Sequence, residues 1–277
     1  MEQSRLISLV LVTPALLILL ALFVYPLGFS LVTAFVDHEN GAWTLGNFSK
    51  AFEFYSNDIL FTVVIVALST ALIGVCSVAI GGYLVLGEHP VAVAVLRWLY
   101  RWPLFIPFIV AGQVMRTFLA KNGMMNNTLV ELGLLAPIDA QSFLDWRGIV
   151  VTFVWKQTPF VALLVSGAMA SLDRATIEAA RNLGAGRLRI LLEIVVPQVR
   201  QTLAVGLILS FVIMMSVLSV PLMINAGTPT MLTADMAFRI NAYGDYGTAN
   251  ALGFISYLMT GVVAWIYLRQ GVREHRP

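Results

Sequence analysis

The chain contains apolar runs too long for a soluble core to hide, and that property fixes what it can fold into. The first is LVTPALLILLALFVYPLGFSLVTAF, residues 11–35. Inside a bilayer no water satisfies a bare amide or carbonyl, so only helices and closed barrels cross it, and a helix needs roughly 20 apolar residues to do so. With 59% of its 277 residues hydrophobic and only 12% charged, the chain lies far from the composition of soluble domains.

Hydropathy predicts six transmembrane helices, over residues 6–35, 60–87, 97–119, 148–171, 199–225 and 250–268, in an all-α integral membrane fold with one domain over 1–277. The runs are too long for barrel strands and lack their alternation. Six spans put both termini on one side. Arg5, Arg97, Arg101, Arg174, Arg181, Arg187, Arg189, Arg200, Arg269, Arg273 and Arg276 fall on that side, against Lys50, Lys121, Arg147 and Arg239 opposite. The positive-inside rule therefore makes the termini and the 88–96 and 172–198 loops cytoplasmic. The start shares a basic residue and an apolar run with secretory signals, but the run exceeds a signal core and no small-residue processing site precedes Asp37. A retained first helix is expected. The outer segments 37–59, 120–147 and 226–249 carry Trp43, Phe48, Phe52, Phe54, Tyr55, Phe143 and Trp146, as interfacial anchors or as contacts for an outside partner.

Several function classes drop out. A net charge of +2 without a Lys/Arg block gives no reason for a nucleic-acid partner. The single cysteine, Cys76, builds neither a disulfide framework nor a thiolate cluster. His38, His89 and His275 sit in separate loops, with no HExxH, paired-aspartate or Gly-x-Ser-x-Gly pattern, so neither catalytic residues nor a metal site are expected. No Gly-rich phosphate loop occurs, so the chain is not its own ATPase. An ion-coupled secondary transporter is the rival reading; it calls for paired half-repeats and membrane-depth acids, and no Asp or Glu lies within a span.

The informative segment is 173-DRATIEAARNLGAGRLRILLEIVVPQVRQ-201, far more polar than a connection between two helices requires. Thr176 is placed to cap a short helix over Glu178 to Leu183, whose alanines let another protein approach, and Gly184 and Gly186 permit a turn. Beyond it, Leu188, Leu191, Leu192 and Val195 recur at helical spacing against Arg187, Arg189 and Glu193, predicting an amphipathic surface helix. Pro197 stops or kinks that helix where the fifth span begins. The plain alternative is a connector lying on the membrane.

Glu178, Ala179, Ala180, Gly184 and Pro197 stand at the offsets of the EAA loop, and the chain resembles binding-protein-dependent ABC importer permeases over nearly its whole length. Trp43-Thr-Leu-Gly-Asn-Phe and Asn122-Gly-Met-Met-Asn-Asn are further similarities. The resemblance implies a type I importer permease in a bacterial inner membrane, with 173–197 as the cytoplasmic coupling helix docked on an ATPase. It implies polar contacts there from Glu178 and Arg181, close packing by Ala179 and Ala180, and a turn at Gly184. It also implies a second permease subunit, a homologous but different chain, with two ATPase subunits that hold the ATP and Mg, and a periplasmic binding protein; no cofactor belongs to this chain.

Charges within spans are costly, which makes them functional candidates. Arg116 and Lys156 either face a polar pathway or snorkel to the headgroups. Met214, Met215, Ser216 and Ser219 precede Pro221, where the fifth helix is expected to unwind beside the pathway or simply to pack through small residues. Asn-Leu-Gly-Ala at 182–185 and Met115-Arg-Thr-Phe resemble the polyamine-type branch, with opine and aminophosphonate importers, whereas Tyr243-Gly-Asp-Tyr-Gly resembles sugar permeases. A small polar organic solute of the first group is expected, with a sugar or polyol as the alternative.

Overall fold

The structure is a computed structural model and describes residues 12–37, 41–224 and 227–274. Apart from an isolated bridge between Val36 and Trp43, the described residues form helices and turns. Helix α1 (Val12–Ala34) widens into a π turn over Leu20–Val24, just ahead of Pro26. A proline offers no amide and crowds the carbonyl four residues back; the wider turn relieves both.

Helix α2 (Gly46–Leu86) has 41 residues, a length of about 60 Å, twice the roughly 30 Å hydrocarbon thickness. The expected span 60–87 is only its second half. Residues 46–59, read from hydropathy as part of an outer segment, are helical, because Lys50, Glu53 and Asp58 lower hydropathy without breaking a helix.

The third expected span, 97–119, is not one helix. Helix α3 (Pro90–Leu99) and a 3-10 turn (Trp102–Phe105) lead into α4 (Phe108–Leu119) and α5 (Met124–Glu131), and the segments Pro90–Phe105 and Phe108–Glu131 meet at 110°. Pro107 is the cause: a residue before proline is pushed out of the α region, and Ile106 is extended. Among the described residues, five helices are long and apolar enough to cross a membrane, or six if this bent pair is one span.

Helix α6 (Trp146–Ala170) is capped by Asp145, which accepts the Arg147 amide at 2.8 Å. Then come α7 (Arg174–Asn182) and α8 (Arg187–Ser216). One expectation fails here: residues 187–196 are not a separate surface helix but the first turns of α8. Of the two effects expected at Pro197, the stop is excluded, because a π turn over Leu191–Val195 absorbs the proline as in α1 and the helix continues. The fifth helix does give way near the expected place, at extended Val217, before α9 (Ser219–Ile224). Helices α10 (Leu232–Tyr243) and α11 (Tyr246–Glu274) complete the chain.

Two compact units emerge, residues 1–57 with 235–258, and residues 58–234 with 259–277. In the first, the rings of Phe35, Phe48 and Phe254 meet at 4.8 to 5.9 Å. Buried Asn47 donates to the carbonyls of Ala34 and Val36. Arg239 donates to the Tyr55 hydroxyl and lies over the Phe54 and Tyr243 rings. In the second, α6 is central: Ile149, Phe153, Val161 and Val165 are buried, α8 packs along it, and α4 and α9 pack on each other. Lipid tails are as apolar as leucine, so close packing rather than escape from water holds such helices together.

Candidate functional site

Helix α7 begins earlier than its sequence suggested. Asp173, not Thr176, is the cap: its carboxylate accepts the Ala175 amide at 2.9 Å, so Thr176 lies inside the first turn. At the other end Gly184 takes φ +83°, a left-handed conformation that costs an L side chain roughly 1–2 kcal/mol. The Gly184 amide then reaches the Arg181 carbonyl at 2.9 Å and the Ala185 amide the Ala180 carbonyl at 3.0 Å, the paired bonds of a Schellman stop. Gly186, at φ −69°, needs no such freedom.

The two faces of α7 differ. Ile177 and Ala180 are buried inward. Arg174, Glu178 and Arg181 line a cleft of about 390 Å³ together with Arg97 of α3. Ala175, Ala179 and Asn182 face outward, and Leu183 is 88% exposed at the tip. The structure therefore separates residues that the sequence grouped: Ala179 is open to a partner, Ala180 is packed within the chain, and Glu178 and Arg181 share the cleft.

The start of α8 presses on the end of α2. Arg187 forms an ion pair with Glu88, and Leu191 fills the space beside Gly82, where an added Cβ would stand 2.7 Å from both Leu191 methyls. Helix α8 runs from Arg187 to Ser216, so one element joins the turn after α7 to the Val217 break. The sequence reading missed Gly82 and Glu88; the Gly81-Gly82 pair in an apolar run was the available signal.

The other singled-out residues lie elsewhere. Arg116 is exposed on α4, with Gln113 and Thr117 on the same stripe. Lys156 is 6% exposed; its Nζ donates to the Leu104 carbonyl at 3.3 Å and lies 5.0 Å from the centre of the Phe108 ring. Its head group therefore turns toward the α3–α4 break rather than snorkelling outward. Met215 and Pro221 are buried, Ser219 is half-buried, and Ser216 is exposed with its hydroxyl on the Ile213 carbonyl at 2.9 Å. Among the described residues no cluster of three His, Cys, Asp or Glu is placed to hold a metal.

Helices of bilayer length, a broken span and a short capped helix one turn away from a membrane helix define a multi-pass helical protein of the membrane-component type found in transport systems. Residues 4–270 match the family described as binding-protein-dependent transport system inner membrane component, and the chain belongs to that family. It is thus a multi-pass permease subunit of an ABC importer, not itself an ATPase, and carries no cofactor of its own. It is 27% identical to the sulfoquinovosyl glycerol transport system permease protein SmoG of Agrobacterium fabrum, over 96% of this chain and 90% of that protein. It is 24% identical to the spermidine/putrescine transport system permease protein PotB of Haemophilus influenzae, over 65% of this chain and 63% of that one. A crystal structure of a bacterial ABC transporter that imports the acidic polysaccharide alginate superposes with a TM-score of 0.75 at 19% identity, covering 99% and 98% of the two chains, which supports the fold. The expected lean toward the polyamine branch is corrected by this contrast, since the sugar-type relative matches nearly end to end. Asn182, Leu183 and Gly184 lie at the exposed end of α7.

Proposed function

We propose that this chain forms half of the pathway of an ATP-driven importer for a carbohydrate-type solute. It pairs with a second, homologous permease subunit. Two ATPase subunits dock beneath 173–197, and a periplasmic binding protein delivers solute to the opposite side. Both termini are cytoplasmic. The observation that carries this reading is the geometry of α7: a short helix fixed at both ends, with Ala175, Ala179 and Leu183 exposed, and joined by one tight turn to a 30-residue helix that ends at the break beside Ser216 and Ser219. ATPase closure moves α7, and α8 carries the movement into the membrane as a rigid body. The solute path borders Arg116, Ser216 and Ser219, the candidates that remain at least partly exposed, with Lys156, Met215 and Pro221 supporting them from within the packing.

The end-to-end similarity to a sugar-type permease favours a carbohydrate solute. Cysteines at Ala179 and Leu183 test the docking. They crosslink to an ATPase in membranes carrying the assembled transporter, while a cysteine at buried Ile177 does not. Equal failure of the two exposed positions would sink the coupling role.

A further inference from the structure

We propose that the cleft behind α7 is a binding site for an anionic phospholipid, with the headgroup phosphate held by Arg97, Arg174 and Arg181. These three guanidinium groups come from two helices distant in sequence and line one cleft of about 390 Å³. Glu178 is the one carboxylate on its wall, and among the described residues no ion pair joins it to any of the three. Three like charges around one hollow repel one another, and guanidinium forks suit phosphate oxygens. The surplus of positive charge therefore calls for an anion.

The neighbouring space says which anion. A second cleft of about 260 Å³ shares Leu84, Val85, Arg97 and Ala170 with the first, and continues along Leu163 and Gly167 of α6, with Arg101 at its edge. A charged hollow opening into an apolar groove fits a phosphate attached to a hydrocarbon chain. A free inorganic anion would use only the first half. The setting agrees: Trp98, Leu99 and Trp102 are exposed beside Arg97 and Arg101, the aromatic and basic pattern of an interfacial helix. The C-terminal ends of α2 and α6, which wall both clefts, are where apolar helix gives way to polar loop.

The occupant would tie the membrane to the lever. A headgroup between Arg97 on α3 and Arg174 and Arg181 on α7 bridges an interfacial helix and the coupling helix, so the anionic lipid content of the leaflet sets how firmly α7 is seated. The proposal requires only that the chain is a membrane protein with α7 on the basic side. It does not depend on the identity of the solute, and because Arg174 and Arg181 belong to the segment proposed to meet the ATPase, lipid binding is read on the chain without that partner.

The test uses the full chain purified in mild detergent and offered phosphatidylglycerol and phosphatidylcholine in equal amounts, with bound lipid read by native mass spectrometry. Wild type retains phosphatidylglycerol about tenfold over phosphatidylcholine. Arg97→Gln with Arg174→Gln abolishes the preference. Gly167→Leu, which fills the apolar groove from a position where an added Cβ meets nothing within 4 Å, lowers phosphatidylglycerol retention while the arginines remain. A parallel arm titrates inorganic phosphate. Equal retention of the two lipids by wild type overturns the proposal, as does phosphate displacing phosphatidylglycerol with Gly167→Leu without effect, which marks a soluble-anion site. Thermal melting of both variants, unchanged by more than a degree or two in phosphatidylcholine alone, excludes misfolding as the cause.

Discussion

Lys156 on α6 donates through Nζ to the Leu104 carbonyl at 3.3 Å, so a charged side chain in one membrane helix closes the backbone gap left where another is broken. Carbonyls freed at a break inside a membrane must find a partner within the protein, and this ammonium provides one, with the Phe108 face 5.0 Å away.

Lys156→Met keeps the side-chain length and removes the donor, and is expected to lower the stability of the purified protein by about 2 kcal/mol. Lys156→Arg, which still donates and still faces a ring, retains most of it. Leu104→Ala, which leaves the carbonyl in place, is the control for the side chain. Thermal unfolding in detergent reads all three. A Lys156→Met protein that melts like wild type would show that this bond holds nothing together.

The Schellman stop of α7 makes a second, more selective prediction. Gly184→Ala pays the left-handed penalty of roughly 1–2 kcal/mol at an exposed loop, too little to unfold the protein but enough to loosen the helix end. More ATP is hydrolysed per solute imported, with unchanged amounts in the membrane. Gly186→Ala has φ −69° and open space around its Cβ, and leaves this ratio alone. Should the two variants couple equally well, the turn geometry has no part in transmission.

The contact between Gly82 and Leu191 gives a third. A Cβ on residue 82 would overlap both Leu191 methyls at 2.7 Å, and such overpacking costs roughly 1–3 kcal/mol. Gly82→Val is therefore destabilising and is rescued in part by Leu191→Ala, a coupling that a double-mutant cycle on unfolding measures. Strict additivity of the two changes would mean that α2 and the start of α8 do not press on each other.

These elements differ in how far the sequence announced them. Helix α6 was nearly complete in the expectation because apolar stretches on both sides of Lys156–Thr158 keep its average hydropathy high, and Pro159 lies within packed helix. The α3–α4 break was hidden, since Pro103 and Pro107 sit among Trp102, Leu104, Phe105 and Ile106, and a hydropathy average sees only apolar side chains. The glycine offset of the lever was legible because φ +83° demands glycine. Its cap was not: Asp173 and Thr176 are both good capping residues, and only the 2.9 Å bond to Ala175 decides between them. The inward face of α7 was partly legible in Ile177 and Ala180 at helical spacing, whereas the cleft beside it was not, because Arg97 comes from a helix remote in sequence.

The entry to α6 yields a prediction in pH. Asp145 accepts from the Arg147 guanidinium at 2.7 to 3.2 Å and from its amide at 2.8 Å. The Arg147 side chain, with the backbone bonds, outweighs burial and holds the carboxyl below its ordinary value. A folded-state pKa below the unfolded one gives stability that is present above the unfolded value, near 4, and disappears as the pH falls through the folded one. The pair is about one-third exposed, so solvent screening leaves the ionic part small, while the cap itself contributes about 1 kcal/mol. Asp145→Asn keeps a capping side chain and loses only the ionic part, so its deficit against wild type is full at pH 7 and shrinks as the pH falls from about 4 toward 3. Asp145→Ala loses the cap as well and remains less stable than wild type at both. Melting curves at the two pH values separate the contributions, and an Asn variant whose deficit persists unchanged at low pH would show that charge plays no part at this helix start.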